Sequence, residues 1–318
     1  MPLVTANAEL LETILDGTYP IWNEGLTRTD YGKWNRAQMA SDWGRAHLRR
    51  VALVEGGRLL ASAKRYDLRA SLAGVDVEVL GVGAVFTPPD LRGRGHARAL
   101  LDLMHDDARA RGCVVSLLFS EIGAAYYEGL GYRVVPTRTV TVHVIRKPGA
   151  PATLVRAGES RDLPEIAAIA AARPAQNAAF RLDRSADLIE FGLTRRRLLA
   201  GLGRPGVRSV EFFVAEEGMR AVAFVVITRG PNGALLEDCG DRDPAGARVG
   251  AMLQVLAART PAEIERDLTS WFPSSMHPPQ LVLTKSAPIN EVMMLRRLGE
   301  GPAIEDLPDA DYRLLDVF

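Results

Sequence analysis

A chain of 318 residues has room for two domains of ordinary size, and 47% hydrophobic with 25% charged residues is the balance of a soluble globular protein. Lysine plus arginine and aspartate plus glutamate both number 39, so the basic excess of a dedicated nucleic-acid binder is missing. Two cysteines, Cys113 and Cys239, build neither a disulfide framework nor a zinc site, and the five histidines show no metal spacing. No stretch reads as a signal peptide and no run approaches the ~20 apolar residues of a membrane span, which predicts a cytoplasmic protein that engages neither nucleic acid nor membrane.

In chain order, helical spacing predicts helices at Ala8–Asp16 and Trp34–Leu48. Strands follow at Arg50–Glu55, Leu59–Asp67 and Val75–Phe86, with Gly56-Gly57 turning the first hairpin. A helix from about Gly95 to Arg111 carries Ala97, Leu100, Leu101, Met104 and Ala108 on one face, and Gly112 ends it. Val114–Phe119 reads as a buried strand, Gly123–Leu130 as a short helix and Arg133–Ile145 as another strand. The Pro- and Gly-rich stretch from Lys147 to Ala152 reads as a linker.

Beyond it, Leu154–Arg156 is a short strand, and Asp162-Leu163-Pro164-Glu165 opens a helix to about Arg173, with Asp162 as cap and Glu165 reaching back. Strands at Ser209–Ala215, Ala221–Thr228 and Ala234–Asp238 precede helices at Ala247–Arg259 and Pro261–Trp271, a strand at Gln280–Thr284 and a helix at Asn290–Arg297. This order echoes the first half. The expected fold class is therefore α/β of the mixed-sheet, α+β kind, built as two copies of one fold. Arg195-Arg196-Arg197 reads as a solvated helix face.

The chemistry concentrates between Gly81 and Ala97. A buried strand runs into Pro88-Pro89, which end its pairing and leave a gap for an extended ligand. The following loop, Arg92-Gly93-Arg94-Gly95-His96-Ala97, opens a helix, where unsatisfied N–H groups and the positive end of the helix dipole suit a diphosphate.

Arg92-x-x-Gly95-x-Ala97 after a strand resembles the acetyl-CoA signature of the GNAT superfamily of N-acetyltransferases. Tyr127-Glu128-x-Leu130-Gly131-Tyr132, about thirty residues on, is similar to the superfamily's second motif, with Ser120 where the family often has asparagine. The wider strings Val85–Gly95 and Ser116–Gly123 resemble the fungal lysine acetyltransferase group most. The resemblance implies two tandem GNAT-like domains: a catalytic one at 1–147, a linker at 148–152, a degenerate one at 153–300, and a tail at 301–318 docking near the active site. It places the pantetheine arm of acetyl-CoA on Val85 and Thr87, and the diphosphate on Arg92, Gly93, Arg94, Gly95, His96 and Ala97. Tyr127 then protonates the departing thiolate.

Three carboxylates compete for the role of base: Glu121, Glu78 and the terminal carboxylate of Phe318. Tyr19, Trp22, Tyr31, Trp34 and Trp43 are candidate walls of an acceptor pocket. The second half has no diphosphate loop, because its counterpart, Asp241–Gly246, is acidic. The implied activity is direct acetyl transfer from acetyl-CoA to a small-molecule primary amine, lysine among them, with no metal and with a homo-oligomer left open. A second reading is a non-catalytic acyl-CoA-binding or regulatory protein on the same scaffold.

Overall fold

Two mixed sheets organise the chain. The computed structural model describes all residues except 1, 137–138, 146–152, 173–179, 232, 260–266, 273–275, 286–290, 305–306, 308–309 and 312. The expected linker therefore lies outside the described residues.

The chain starts with strand β1 (Leu3–Thr5) and helices α1 (Ala8–Trp22), α2 (Arg28–Ala40) and α3 (Asp42–His47). A meander of β2 (Leu48–Glu55), β3 (Arg58–Leu72) and β4 (Val75–Phe86) leads to α4 (His96–Ala110), β5 (Cys113–Ser120), the one-turn α5 (Ala125–Glu128), β6 (Arg133–Val134) and β7 (Val140–Val144). The second half begins with β8 (Val155–Ala157), α6 (Leu163–Ala172), β9 (Phe180–Leu182) and α7 (Ala186–Leu202). It continues through β10 (Ser209–Glu217), β11 (Arg220–Gly230), β12 (Gly233–Asp241), α8 (Ala247–Ala258), β13 (Leu268–Ser270), β14 (Leu281–Lys285), β15 (Val292–Arg297) and β16 (Ala310–Asp311).

The first sheet runs β1-β2-β3-β4-β5-β15-β6, with β9 also pairing β3 and β16 pairing β9; the second runs β8-β10-β11-β12-β13-β7-β14. The two halves exchange a strand. β15 from late in the chain lies between β5 and β6, antiparallel to both, and β7 from the first half lies between β13 and β14.

This exchange corrects two sequence expectations. Asn290–Arg297 was expected to be helical, yet Val292–Arg297 is a strand, and residue 290 lies outside the described residues. Val292-Met293-Met294-Leu295 is a short apolar run, which periodicity alone assigns equally to a buried helix or a buried strand. The single strand expected at Arg133–Ile145 is two strands, β6 and β7, in different sheets.

Two further helices differ. Leu268–Ser270 of the expected Pro261–Trp271 helix pairs as β13, and 261–266 lie outside the described residues. The expected helix Trp34–Leu48 breaks at Ser41, whose N–H closes α2 on Ala37 O while its hydroxyl accepts from Gly44 N at 3.0 Å. Asp162 does not cap α6 with Glu165 as partner. Its carboxylate accepts from Glu159 N at 2.9 Å and pairs with Arg156 at 2.7 Å, and Glu165 meets Arg242 instead.

Helix α4 covers one face of the first sheet with Leu100, Leu101, Met104 and Ala108, packed on Leu53, Val82 and Leu118. The other face is buried against the second half, through Leu68, Val79 and Leu117 meeting Phe180, Phe191, Trp271 and Leu314. Each such leucine is worth about 2–5 kcal/mol against alanine.

Behind α4 sits a buried polar chain that positions the second motif. Arg296 Nη1 donates to His105 Nδ1 at 3.0 Å, and arginine has no acceptor, so Nδ1 is the bare nitrogen. His105 Nε2–H then donates to Tyr132 Oη at 2.9 Å, and Tyr132 donates to Ser116 Oγ at 2.7 Å. Burial, with Arg296 and Arg109 nearby, pushes the His105 pKa down to about 3. The folded chain thus refuses a proton that the unfolded chain takes up below its ordinary value of about 6.5. Unfolding free energy should fall with pH from 6.5 toward 5, this one group contributing up to about 1.4 kcal/mol per unit. His105→Gln, which cannot titrate, should flatten that slope in denaturant titrations; an unchanged slope contradicts the assignment.

Candidate active site

β4 and β5 run parallel from Glu78↔Cys113 to Val82↔Leu118, in register from Val79↔Val115 onward after one shift that skips Val114, and then separate. Residues Gly83–Phe86 have no β5 partner. The cause lies on the β3 side: Ser62 pairs with Phe86 but Lys64 with Gly83, so Ala84 and Val85 bulge opposite Ala63. Ala84 carries φ +46°, a left-handed torsion that a β-carbon disfavours, and this strain turns the strand away from β5. Val85 and Thr87 lie along the opened stretch, and Thr87 Oγ1 is buried with no hydrogen-bond partner among the described residues.

The chain then passes a 3-10 turn, Pro89–Leu91, anchored by buried Leu91. Arg92 Nε donates to Thr87 O at 3.3 Å, which ties the loop back to the strand and leaves its outer nitrogens exposed. Gly95 is the N-cap of α4 at φ +81°, a torsion that excludes side chains at ordinary cost, and it offers no side-chain cap. The first turn of α4 contains no acidic residue. The first backbone bond after the loop is Ala99 N to Gly95 O at 2.9 Å, so the N–H groups from Gly93 to Arg98 have no backbone partner among the described residues. Free N–H groups, the dipole and Arg92 and Arg94 make an anion cradle whose donors fit a diphosphate.

α8 occupies the equivalent place in the second half, and there the protein fills the cradle itself. Asp241 accepts from Arg248 N at 2.8 Å and from Asp243 N at 2.9 Å, and Asp243 accepts from Ala245 N at 3.0 Å.

Beside the β4–β5 gap lies a cavity of about 280 Å³. Val85, Tyr127, Glu121 and Phe318 all line it, so the structure gathers three of the four sequence-derived groups expected around the sulfur and the amine, together with the start of the pantetheine path. Tyr127 is 8% exposed and sits edge-on to Tyr132, with ring centroids 5.8 Å apart. Burial, then Tyr126 and Glu121, push its hydroxyl up to about 12. Its neighbour Tyr126 points to the surface, 42% exposed.

Glu121 is exposed and accepts from Trp22 Nε1 at 3.1 Å. Glu78 stands apart: it is at the paired end of β4, opposite Cys113, and meets Arg69 at 3.3 Å. The other wall holds Trp22, Tyr31 and Trp34 as the aromatics predicted. Trp43 instead stacks on Tyr66 and Phe191 in the central core, and Tyr19 backs Tyr31 at 5.8 Å.

The tail reaches this cavity. Phe318 lies over Tyr66 with centroids 4.3 Å apart and edge-on to Phe119 at 5.3 Å. Its approach needs glycine beneath it, since a β-carbon on Gly81 would come within 2.9 Å of the Phe318 ring, and one on Gly83 within 3.3 Å of its carbonyl oxygen. Upstream, buried Arg184 holds Asp316 at 3.0 Å and Asp238 at 2.6 Å. Burial opposes that charge, but the two carboxylates hold the guanidinium fully protonated.

Arg195 and Arg196 clamp the same tail. Arg195 donates to Val317 O, and Arg196 to Leu314 O at 3.0 Å and to Glu237 at 3.0 Å. The expectation of a solvated arginine face is thus corrected, because Arg195 is 6% exposed and shares a helix face with Gly192 and Leu199. Sequence reading also missed Arg50 and Lys64, cavity residues set among the apolar residues of β2 and β3. The signal available was a cation at the core-facing position of each of two adjacent strands.

Comparison with known proteins agrees with this geometry. Residues 10–135 match the family model described as an acetyltransferase (GNAT) domain. No curated protein sequence matches the chain. Among solved structures, a probable N-acyltransferase from Enterococcus faecalis is similar at TM-score 0.67 and 13% identity, over 93% of this chain and 72% of that one. A GCN5-related N-acetyltransferase from Kribbella flavida is similar at TM-score 0.65 and 18% identity, over 93% and 71%. A tandem GNAT protein from the clavulanic acid biosynthesis pathway is similar at TM-score 0.52 and 13% identity, over 95% and 99%. The fold is therefore the GNAT fold, with two mixed sheets over the length of a tandem GNAT protein.

Proposed function

We propose that this chain moves an acetyl group from acetyl-CoA directly to a primary amine held in the cavity beside the β4–β5 gap. One observation carries the reading: the opened strand leads from a free helix N-terminus flanked by two arginines to a cavity containing a buried, protonated tyrosine. Val85 and Thr87 would hold the pantetheine arm along the gap, and Arg92 to Ala97 the diphosphate. Bound acetyl-CoA supplies an activated thioester, so the protein's part is to orient the amine, keep water out and move two protons.

The amine nitrogen forms the new C–N bond as the C–S bond breaks. Tyr127 gives its proton to the departing sulfur, and the carboxylate of Phe318 or Glu121 takes the proton that the amine loses. Phe318 is the better placed, since its carboxyl end lies against the opened stretch of β4 at Gly83. The likeness of the first motif to fungal lysine acetyltransferases puts free lysine first among acceptors.

Coenzyme A release, measured across a panel of amines, should rise with one class of acceptor, and rates against both substrates should give intersecting rather than parallel lines. Parallel lines with an acetylated enzyme in the mass spectrum would contradict direct transfer. Tight acetyl-CoA binding without turnover on any amine would favour a non-catalytic binding protein.

A further inference from the structure

The cavity contains cations that the transfer chemistry does not use. Arg50 and Lys64 are direct cross-strand partners on β2 and β3, and Arg195 reaches in from α7. Arg50 is 3% exposed and Arg195 6%. Their partners are neutral. Arg50 Nη2 donates to Asn35 Oδ1 at 3.2 Å, Lys64 Nζ donates to Gln38 Oε1 at 3.2 Å and lies 5.7 Å from the centre of the Trp34 ring, and Arg195 donates to the carbonyl oxygens of Leu315 and Val317. Arg50 Nη1 and Arg195 Nε are buried with no partner among the described residues.

Elsewhere the same fold treats a buried guanidinium differently, since Arg184 has two aspartates. A buried cation without an anion is strongly penalised, and arginine cannot escape by releasing its proton. The carboxylates on the cavity walls do not settle the account. Glu121 is exposed and bound to Trp22, Glu24 is exposed and bound to Arg208, and no carboxylate, that of Phe318 included, lies within 4.0 Å of Arg50, Lys64 or Arg195 among the described residues. Burial depresses all three cations; Arg50 and Arg195 add to the depression of Lys64, and Arg196 adds to that of Arg195.

We infer that the acceptor is an amino-carboxylate, its carboxylate seated on Arg50, Lys64 and Arg195 and its amine turned toward Tyr127 and the opened strand. This rests on reading the cavity as the acceptor site of an acyltransferase. It selects free amino acids and related compounds over polyamines and aminoglycosides. A dicarboxylic acyl thioester would bring the same carboxylate from the coenzyme side.

Calorimetry on the full chain, with and without coenzyme A, should compare L-lysine and L-alanine with their carboxamides and with cadaverine. The free acids should bind at least about tenfold tighter than the amides. Arg50→Met, or Lys64→Met should the first variant fail to fold, should remove that ratio and leave amide binding little changed. Equal binding of acid and amide, preference for cadaverine, or no binding of any of them would overturn the inference. So would succinyl-CoA binding about tenfold tighter than acetyl-CoA with no acid preference, which would assign the cations to the acyl group. Acetyl-CoA affinity, read separately, distinguishes this failure from failure of the acyltransferase reading.

Discussion

Tyr127→Phe is expected to lower kcat by about 10²–10⁴-fold and to leave acetyl-CoA affinity nearly unchanged. The ring stays, edge-on to Tyr132, so packing and the cavity wall survive. What disappears is the buried hydroxyl proposed to protonate the departing sulfur. Its pKa of about 12 keeps it protonated at any ordinary assay pH, so a hydroxyl proton is always present to hydrogen-bond and neutralise the departing sulfur. The effect should therefore fall on turnover. Stopped turnover with intact binding supports the acid role, whereas full turnover in the variant removes Tyr127 from the chemistry.

The second large effect belongs to the loop. Arg92→Glu with Arg94→Glu should weaken acetyl-CoA binding by about a hundredfold or more, since each charge-assisted contact to a phosphate is worth roughly 1.5–3 kcal/mol. Acetyl-pantetheine, which lacks the diphosphate, controls for damage elsewhere. The wild type should prefer acetyl-CoA strongly over acetyl-pantetheine, and the double variant should lose most of that preference. Both side chains are exposed and outside the core, so the fold should tolerate the change. An unchanged preference would place the diphosphate elsewhere.

The parts of this site legible in the sequence are those built from contiguous residues. The strand, the proline stop, the glycine loop and the helix from Gly81 to Met104 are local, and so are the turn and ring of Tyr127. Helix α4 was read to within one residue at each end because its apolar face repeats at helical spacing. The exchanged strands β7 and β15 were not legible, since their partners lie more than a hundred residues away and nothing in Val292-Met293-Met294-Leu295 names the sheet it joins.

The cationic floor was hidden for the same reason. Arg50, Lys64 and Arg195 come from three separate elements, and each alone looks like an ordinary surface charge. The warnings were positional: Arg50 and Lys64 take core-facing places on adjacent strands, and Arg195 falls on the stripe of Gly192 and Leu199, where a solvated side chain does not belong. The tail shows both sides: its apolar character predicted docking, but the glycines at 81 and 83 that receive Phe318 read only as part of a buried strand.

Passage of an acetyl group from acetyl-CoA to an amine in this cavity leaves a product that can be followed by its label. Mass spectrometry of small molecules after incubation with isotope-labelled acetyl-CoA and a mixture of amines tests it most directly. The label should appear on the amine of an amino-carboxylate, in step with coenzyme A release and absent with Tyr127→Phe. Label found only in acetate, or on the protein with every amine unlabelled, would contradict this transfer.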